Sequence, residues 1–528
     1  MPNIKIGKNA LENLTIGMYS DSKIIYREYI QNAADSIDLA CKNGIYNGDE
    51  KPQIEIELNS KERIVSIKDN AYGVKASDIW RKLVYIADSE KDRGVNKGFR
   101  GIGRLGGLAY CETLRFITTY PGEAIQTTMT WNAKELISMI DDPTVKDSAE
   151  DVLYKIISCS EEPCDSEAHY FIVELEHIRD ENSELLDVAE VKKYISANVP
   201  VDYNSKFYLK SKIKEFISKN NLSFSEYRIF VDGEDVFKDY SHVLYEKSGE
   251  CLKQYDEIDS LEFKEFKNKQ NELLAWMWFG VGAFDKQIPS CNDMRGIRLR
   301  KDNIQVGDDQ TLIRFFKQQR GNYYYIGELH AVHRNLIPNA RRDYFNENPT
   351  RVELETEVER FFGDALHSLY IDANRAKNAY KKENLLHEIE VKYAEKEKTG
   401  FINKDEEINL KKEIDAAKKE IEQSQKEIDK LKEKSKKNPT LSKVMKSVEK
   451  NHKKTVSPKN LGNKESITTE KSSHNLNKGT PLLTDKLIHL TENERKLVGH
   501  IYTVIQDVLP PIQSSSLIQK IQDEINKK

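Results

Sequence analysis

Residues 27–36 read Arg-Glu-Tyr-Ile-Gln-Asn-Ala-Ala-Asp-Ser, which places Glu28, Asn32 and Asp35 at i, i+4 and i+7. On a helix those three polar groups share one face. Ile25, Tyr29, Ile30, Ala33 and Ala34 border the line with apolar side chains, which argues against an ordinary solvated helix face. A carboxylate four residues before a carboxamide suits a metal-nucleotide site: the Asn oxygen binds a hard cation and the Glu accepts the proton of an attacking water. A second segment, Ile64 to Val74, reads as a strand running into a turn with Asp69 at its end. A carboxylate there can accept a hydrogen bond from an exocyclic amine, and Gly73 lets the backbone approach a flat ring. The third segment, Lys97-Gly-Phe-Arg-Gly-Ile-Gly-Arg-Leu-Gly-Gly107, is dense in glycine. Such backbone presents N–H groups to phosphate oxygens, and a helix starting after it would add its positive end. It lacks the Gly-Lys-Ser/Thr of a Walker A loop and does not follow the Rossmann order.

In this order, within residues 27–107, the three segments resemble the GHKL ATPase superfamily, which groups gyrase, the ninety-kilodalton heat-shock chaperone, histidine kinases and MutL. The resemblance implies a Bergerat-type ATP site with ATP and Mg2+ as cofactors. Glu28 would be the general base, Asn32 the magnesium ligand with Asp35 nearby, and Asp69 the acceptor for the adenine amine beside Gly73. Lys97, Gly98, Arg100, Gly101 and Gly103 would form the phosphate lid. Two departures stand out. The family's Asp-x-Gly-x-Gly reads Asp69-Asn-Ala-Tyr-Gly73, with Ala71 in place of a glycine, and the later Gly-Thr strand corresponds to Glu167-Ala-His-Tyr-Phe-Ile-Val-Glu174, so no threonine contact carries over. No helical His segment precedes Glu28, which disfavours a histidine kinase, and a base at Glu28 favours transfer to water.

These side chains need elements to hold them. Helical spacing from Ile24 to Ala40 and strand patterns at Gln53–Leu58 and Ile64–Lys68 predict an α+β fold, a Bergerat-type α/β sandwich over residues 1–200. A transducer or middle-type α/β domain is expected over 201–365, with strands at Arg228–Val231, Leu273–Val281 and Tyr323–Ile326. Met294 to Asp308 carries Arg298, Arg300 and Lys301 around a strand-to-turn corner. By the same resemblance a basic residue of this domain completes the ATP site, and Lys301 is favoured, then Arg298 and Arg300. Arg341 and Arg342 are equally placed to be structural, paired with Asp343 or an acidic partner. His330 and His333 read as core or surface histidines. Heptad spacing of Leu410, Ile414, Ala417, Ile421, Ser424, Ile428 and Leu431 predicts a coiled coil or helical hairpin within a stalk over 366–431. Residues 432–480 are rich in Lys, Asn, Ser and Thr and read as a flexible basic linker, and 481–528 as a small helical module opened by a Thr491–Glu494 capping box.

The chain has 528 residues, enough for about three and a half domains. A formal net charge of -5 gives no global pull toward nucleic acid, so any DNA contact is expected through the basic linker. The longest apolar run, Leu273 to Phe284, is too short to cross a bilayer, and the start MPNIKIGKNALENL has no apolar signal core. Six scattered cysteines form neither a disulfide framework nor a zinc pattern, which points to a cytoplasmic address. The expectation is a homodimeric, ATP-hydrolysing, chaperone-like clamp acting on a protein client. The alternative is an ATP-switched regulatory or DNA-associated subunit, MORC-like or MutL-like, that serves a partner effector, for example in anti-phage defence.

Overall fold

The computed structural model describes residues 6–14, 21–86, 101–456, 482–484, 486–487 and 489–527. Two compact units emerge: Met1–Val281 with Lys286–His367, and Gly282–Asp285 with Ser368–Lys528. The first opens with α1 (Asn9–Leu14), α2 (Ile24–Asn43), β1 (Gln53–Asn59), β2 (Ile64–Asp69) and α3 (Ile79–Leu83). There follow β3 (Thr113–Thr118), β4 (Ile125–Asn132), α4 (Ala133–Asp141), α5 (Ala149–Ile156), β5 (Ile157–Pro163) and β6 (Phe171–Glu176). The run closes with α6 (Val188–Asn198), α7 (Lys210–Lys219), β7 (Arg228–Val231) and β8 (Glu234–Asp235). The strands make one eight-stranded sheet, ordered β5-β4-β3-β6-β2-β1-β7-β8. Ile25, Tyr29, Ile30, Ala33 and Ile37 of α2 bury against Ile54, Ile56, Val65, Ile67, Leu114, Phe116 and Val173 of the sheet. Gly44 ends α2 in the left-handed conformation at φ 69°. Along β2 the buried positions are Val65, Ile67 and Asp69. Strand alternation therefore carries the Asp69 carboxylate to the same face as the apolar core.

The expected boundary at residue 200 moves. β7 pairs in parallel with β1, Ile54 opposite Ile229 and Ile56 opposite Val231, so residues 228–235 extend the first sheet. Ile229 and Val231 are fully buried, and that apolar pair is completed only beside β1.

The second sheet is six-stranded, ordered β13-β12-β14-β11-β10-β9. It comprises β9 (Val243–Ser248), β10 (Cys251–Lys267), β11 (Leu273–Gly282), β12 (Gly296–Lys301), β13 (Ile304–Gln305) and β14 (Ile326–Ala331), and α8 (Pro349–Arg360) follows. The expected strand at Tyr323 starts three residues later, because Gln319–Tyr324 is a 3-10 turn. Every residue of β12 and β14 is buried, so both faces of these strands are covered and their charges lie inside. Glu328 on β14 is the hub. Its carboxylate meets Arg300 Nε at 2.5 Å, Lys238 Nζ at 3.0 Å and His330 Nε2 at 3.0 Å, and accepts the Tyr203 hydroxyl. Burial raises its pKa, but Arg300 and then Lys238 outweigh that and hold it well below the usual carboxylate range. Burial likewise pushes His330 down to about 4.

The second unit is helical: α9 (His367–Thr399), α10 (Lys404–Lys437), α11 (Pro439–Val456), α12 (Glu492–Val508) and α13 (Pro511–Asn526). Ion pairs Asp372–Lys434, Lys382–Glu420 and Glu390–Lys418 run α9 and α10 antiparallel, which makes the predicted heptad seam an intramolecular hairpin. Leu410, Ser424, Ile428 and Leu431 of that seam are buried. The flexible-linker reading of 432–480 is corrected over its first half. α10 runs to Lys437 and α11 to Val456, with Leu441, Val444, Met445 and Val448 buried at i, i+3, i+4 and i+7. Asn438 Oδ1 accepts from Leu441 N at 3.1 Å. Lysine-rich composition masked this apolar period; residues 457–480 lie outside the described residues. At Thr491 the expected capping box forms, the Glu494 carboxylate accepting from Thr491 N at 2.7 Å.

Removing Glu328 leaves Arg300 and Lys238 buried without their counter-charge. Glu328→Ala is expected to destabilise the first unit by about 3–5 kcal/mol. Denaturant unfolding followed by tryptophan fluorescence checks this, since Trp276 and Trp278 lie in that core. An unchanged midpoint would mean that the network carries no net stability.

Candidate active site

A cavity of about 730 Å³ opens between α2 and the first sheet. Glu28, Asn32 and Asp35 all line it, as their spacing implies, and Ile67, Phe116 and Val173 form its apolar floor. The Glu28 carboxylate is 12% exposed, with Arg27 Nε 3.6 Å and Arg342 Nε 3.7 Å from Oε1. Gly101, Ile102, Gly103 and Arg104 close one side. A Cβ on Gly103 would stand 2.5 Å from Glu28 Oε2, so any larger residue here would push the Glu28 carboxylate out of its present position. Tyr29 on the same helix fixes the segment, donating to Arg104 O at 3.1 Å and accepting from Gly107 N at 3.0 Å. The α-helix expected after the glycines is instead a 3-10 turn over Gly103–Ala109, in keeping with the poor helix propensity of glycine. Lys97, Gly98 and Arg100 lie outside the described residues.

At the other end Asp69 is 4% exposed and accepts from Ala71 N at 3.1 Å. Burial pushes its carboxyl up to about 7, partly offset by that N–H. Gly73 has φ 69°, and a Cβ there would meet Thr119 O at 2.0 Å, so glycine is required. Ala71, which stands where the resembled pattern has glycine, is accommodated: it is fully buried, and His169 Nδ1 lies 3.0 Å from Asn70 O and 3.2 Å from Ala71 O. The hydroxyl that bonds this turn comes from the end of β3, Thr118 Oγ1 accepting from Val74 N at 2.8 Å, and not from residues 167–174.

The three basic residues favoured from the sequence do not line the cavity. Lys301 Nζ donates to Val332 O and His333 O at 3.3 and 3.2 Å, Arg298 to Asp293 O at 2.6 Å, and Arg300 is committed to Glu328. All lie on β12, an interior strand, and all three are buried away from this cavity. The second domain reaches the cavity instead through Pro338, Asn339, Ala340 and Arg342. Arg342 has φ 56°, an uncommon conformation for a side-chain-bearing residue, and its carbonyl accepts from Gly307 N at 2.7 Å. The sequence signal was a Pro-Asn turn after a strand, the kind of loop that carries function. As for a metal, Asn32, Glu28 and Asp35 supply only oxygen donors, which fits a hard cation. Among the described residues no cluster of three His, Cys, Asp or Glu side chains forms a metal cage, so such an ion would take its remaining ligands from water and phosphate.

Residues 20–160 match the family described as histidine kinase-, DNA gyrase B- and HSP90-like ATPase. The chain is 26% identical over 138 residues to the chaperone protein HtpG of Psychrobacter arcticus, covering 23% of this chain and 21% of that protein. With HtpG of Buchnera aphidicola subsp. Baizongia pistaciae it shares 37% identity over 87 residues, 16% of this chain and 14% of the relative. A longer match, 22% over 299 residues, joins it to HtpG of Buchnera aphidicola subsp. Schizaphis graminum and covers 53% of this chain and 42% of that one. The chain thus spans well under two thirds of the length of these relatives.

A carboxyl whose pKa rises on folding, from 3.8 to about 7, binds more protons in the native state between those values. Stability from this group therefore falls as pH rises through that window and is flat above about 7. Asp69→Asn is expected to flatten the pH dependence of the thermal midpoint between pH 4.5 and 7. The change is at most about 4 kcal/mol at the upper end. Parallel slopes for both proteins would sink this account of Asp69.

Proposed function

With residues 20–160 forming a GHKL-type ATPase domain of the branch that includes the ninety-kilodalton heat-shock chaperones, we propose that this chain binds and hydrolyses ATP and uses the cycle as a chaperone-like clamp. The observation that carries the reading is Glu28, a cavity-lining carboxylate with the Arg342 guanidinium of the second domain 3.7 Å away. In this scheme Asp69 accepts the adenine amine, Asn32 holds Mg2+, and the glycine segment meets the phosphates. Glu28 takes a proton from the water that attacks the γ-phosphorus, and the bridging oxygen leaves with ADP. Arg342 stabilises the negative charge that builds on the transferred phosphoryl group. With Arg342 beside Glu28, a γ-phosphate bound there competes for the same cation, which links occupancy to the second domain.

A homodimer is part of the proposal and is supported from the second unit. α12 buries Gly499 and Tyr502, yet Leu497, Ile501, Val504 and Val508 repeat at i, i+4, i+7 and i+11 and are 46–74% exposed. Ile512 at the start of α13 is 87% exposed. This apolar stripe is suited to the core of an interface, which in stable complexes buries about 800 Å² per partner. A two-fold pairing of two α12–α13 hairpins would cover it as a four-helix bundle. The bound client is a protein in this reading, and the cytosol its address. Among the described residues no helix is long and apolar enough to cross a membrane.

For the chemistry, Glu28→Ala is expected to keep ATP affinity within about threefold while turnover falls at least ~100-fold. Arg342→Ala should lower kcat by ~100-fold and Lys301→Met by no more than a few-fold. Steady-state phosphate release and nucleotide titration read these out, and the reverse ranking of Arg342 and Lys301 would reassign the cation. For the assembly, light scattering at micromolar concentration should find the wild-type mass doubled and the Ile501→Asp, Val504→Asp protein at a single chain. A monomeric wild type rejects the dimer.

A further inference from the structure

The base end of the cavity carries an aromatic pair that the ATPase reading does not use. Tyr72 and Tyr120 both line the cavity near Asp69, with ring centroids 5.8 Å apart and planes 20° from parallel. The Lys75 ammonium stands 4.9 Å from the Tyr120 centroid, a cation-π contact. Their mounting is rigid. Tyr72 sits between buried Ala71 and Gly73, whose backbone is pressed against Thr118, Thr119 and Tyr170 O. Tyr120 follows Thr119 directly, and Val74 N bonds to Thr118 Oγ1, so the two rings project from the two sides of one hydrogen-bonded clamp.

We propose that Tyr72 and Tyr120 form an aromatic wall of a purine slot and set nucleobase selectivity together with Asp69. The inference rests on the ATP reading of this cavity and adds residues to it. The physical division of labour is simple. Ile67, Phe116 and Val173 line the slot with apolar surface, and in this proposal the tyrosine pair supplies a π-face that reads ring area without reading ring edges. Asp69 reads the edge: its carboxylate accepts from the 6-amine of adenine or the 4-amine of cytosine, whereas guanine bound in the same orientation presents its 6-carbonyl, which a carboxylate repels. ATP is therefore separated from GTP by Asp69 and from CTP by the tyrosines, because cytosine satisfies Asp69 but covers less of the wall. Since both rings are already stacked, little ordering remains to be done on binding, so the wall favours affinity.

The test is a titration of the full chain with ATP, CTP, GTP and inorganic tripolyphosphate. It compares wild type, the Tyr72→Ala, Tyr120→Ala pair and the Tyr72→Phe, Tyr120→Phe pair. Base-aromatic stacking at its usual strength makes the alanine pair about 5- to 100-fold weaker for ATP. The ATP-over-CTP preference should shrink with it, tripolyphosphate affinity should stay within twofold, and the phenylalanine pair should match wild type, since the ring face and not the hydroxyl does the work. An alanine pair that keeps ATP affinity, keeps the ATP-over-CTP ratio, or weakens tripolyphosphate equally overturns the proposal while the ATPase reading stands. A wild type that binds tripolyphosphate but shows no gain from adenosine overturns both.

Discussion

A buried carboxylate must be neutralised where it lies, and in this chain that requirement organises the molecule around Glu328. Arg300 and Lys238 are drawn to it from β12 and from the segment after β8, and both are then committed to the interior. Arg300 also donates to Ala197 O at 2.9 Å, which ties the second sheet to the end of α6 in the first domain. β12 turns into β13, Val306 N returns to Leu299 O, and Gly307 N bonds the carbonyl of Arg342. A Cβ on Gly307 would meet Thr311 Oγ1 at 2.0 Å, so that bond depends on glycine at φ 70°. Through these covalent and hydrogen-bonded steps, the position of Arg342 beside Glu28 follows from a charge balance struck inside the second sheet.

The Asp69 end of the cavity depends on close backbone approach. Gly73 lies against the Thr119 carbonyl with no room for a side chain, Gly103 lies against the Glu28 carboxylate, and each brings a polar main-chain segment to the cavity edge. Between them the floor is apolar, which raises the cost of charging Asp69 and sharpens its preference for a partner that donates a hydrogen. Glu28 is handled differently, with two guanidinium groups near it, so its negative charge is compensated while it remains on the cavity wall.

The helical unit shows how composition can hide a period. α11 alternates lysines with aliphatics such that Leu441, Val444, Met445 and Val448 face inward while Lys443, Lys446 and Lys450 are exposed. Its segment average is that of a soluble tether, but burial acts on positions and not on averages. α12 has the opposite character. It carries apolar residues on two faces, one used inside the unit and one exposed.

Much of the candidate site is legible in the sequence. Helical spacing put Glu28, Asn32 and Asp35 on one face, strand alternation delivered Asp69 to the core side of β2, and glycines marked the two places of closest approach. These are local properties of 3.6- and 2-residue periods and of φ angles, so the order of amino acids determines them by itself. Three matters were decided only by tertiary structure. Residues 228–235 joined the first sheet because the strand that pairs with Ile229 and Val231 is 175 residues upstream, at β1. Lys301 and Arg298 went inward because both faces of β12 are covered, which no alternation pattern within a single strand reveals. Arg342 reached Glu28, and Tyr120 reached Tyr72, because loops distant in sequence converge on one cavity. Such convergence depends on how sheets and helices pack in three dimensions, and a one-dimensional pattern carries no record of it.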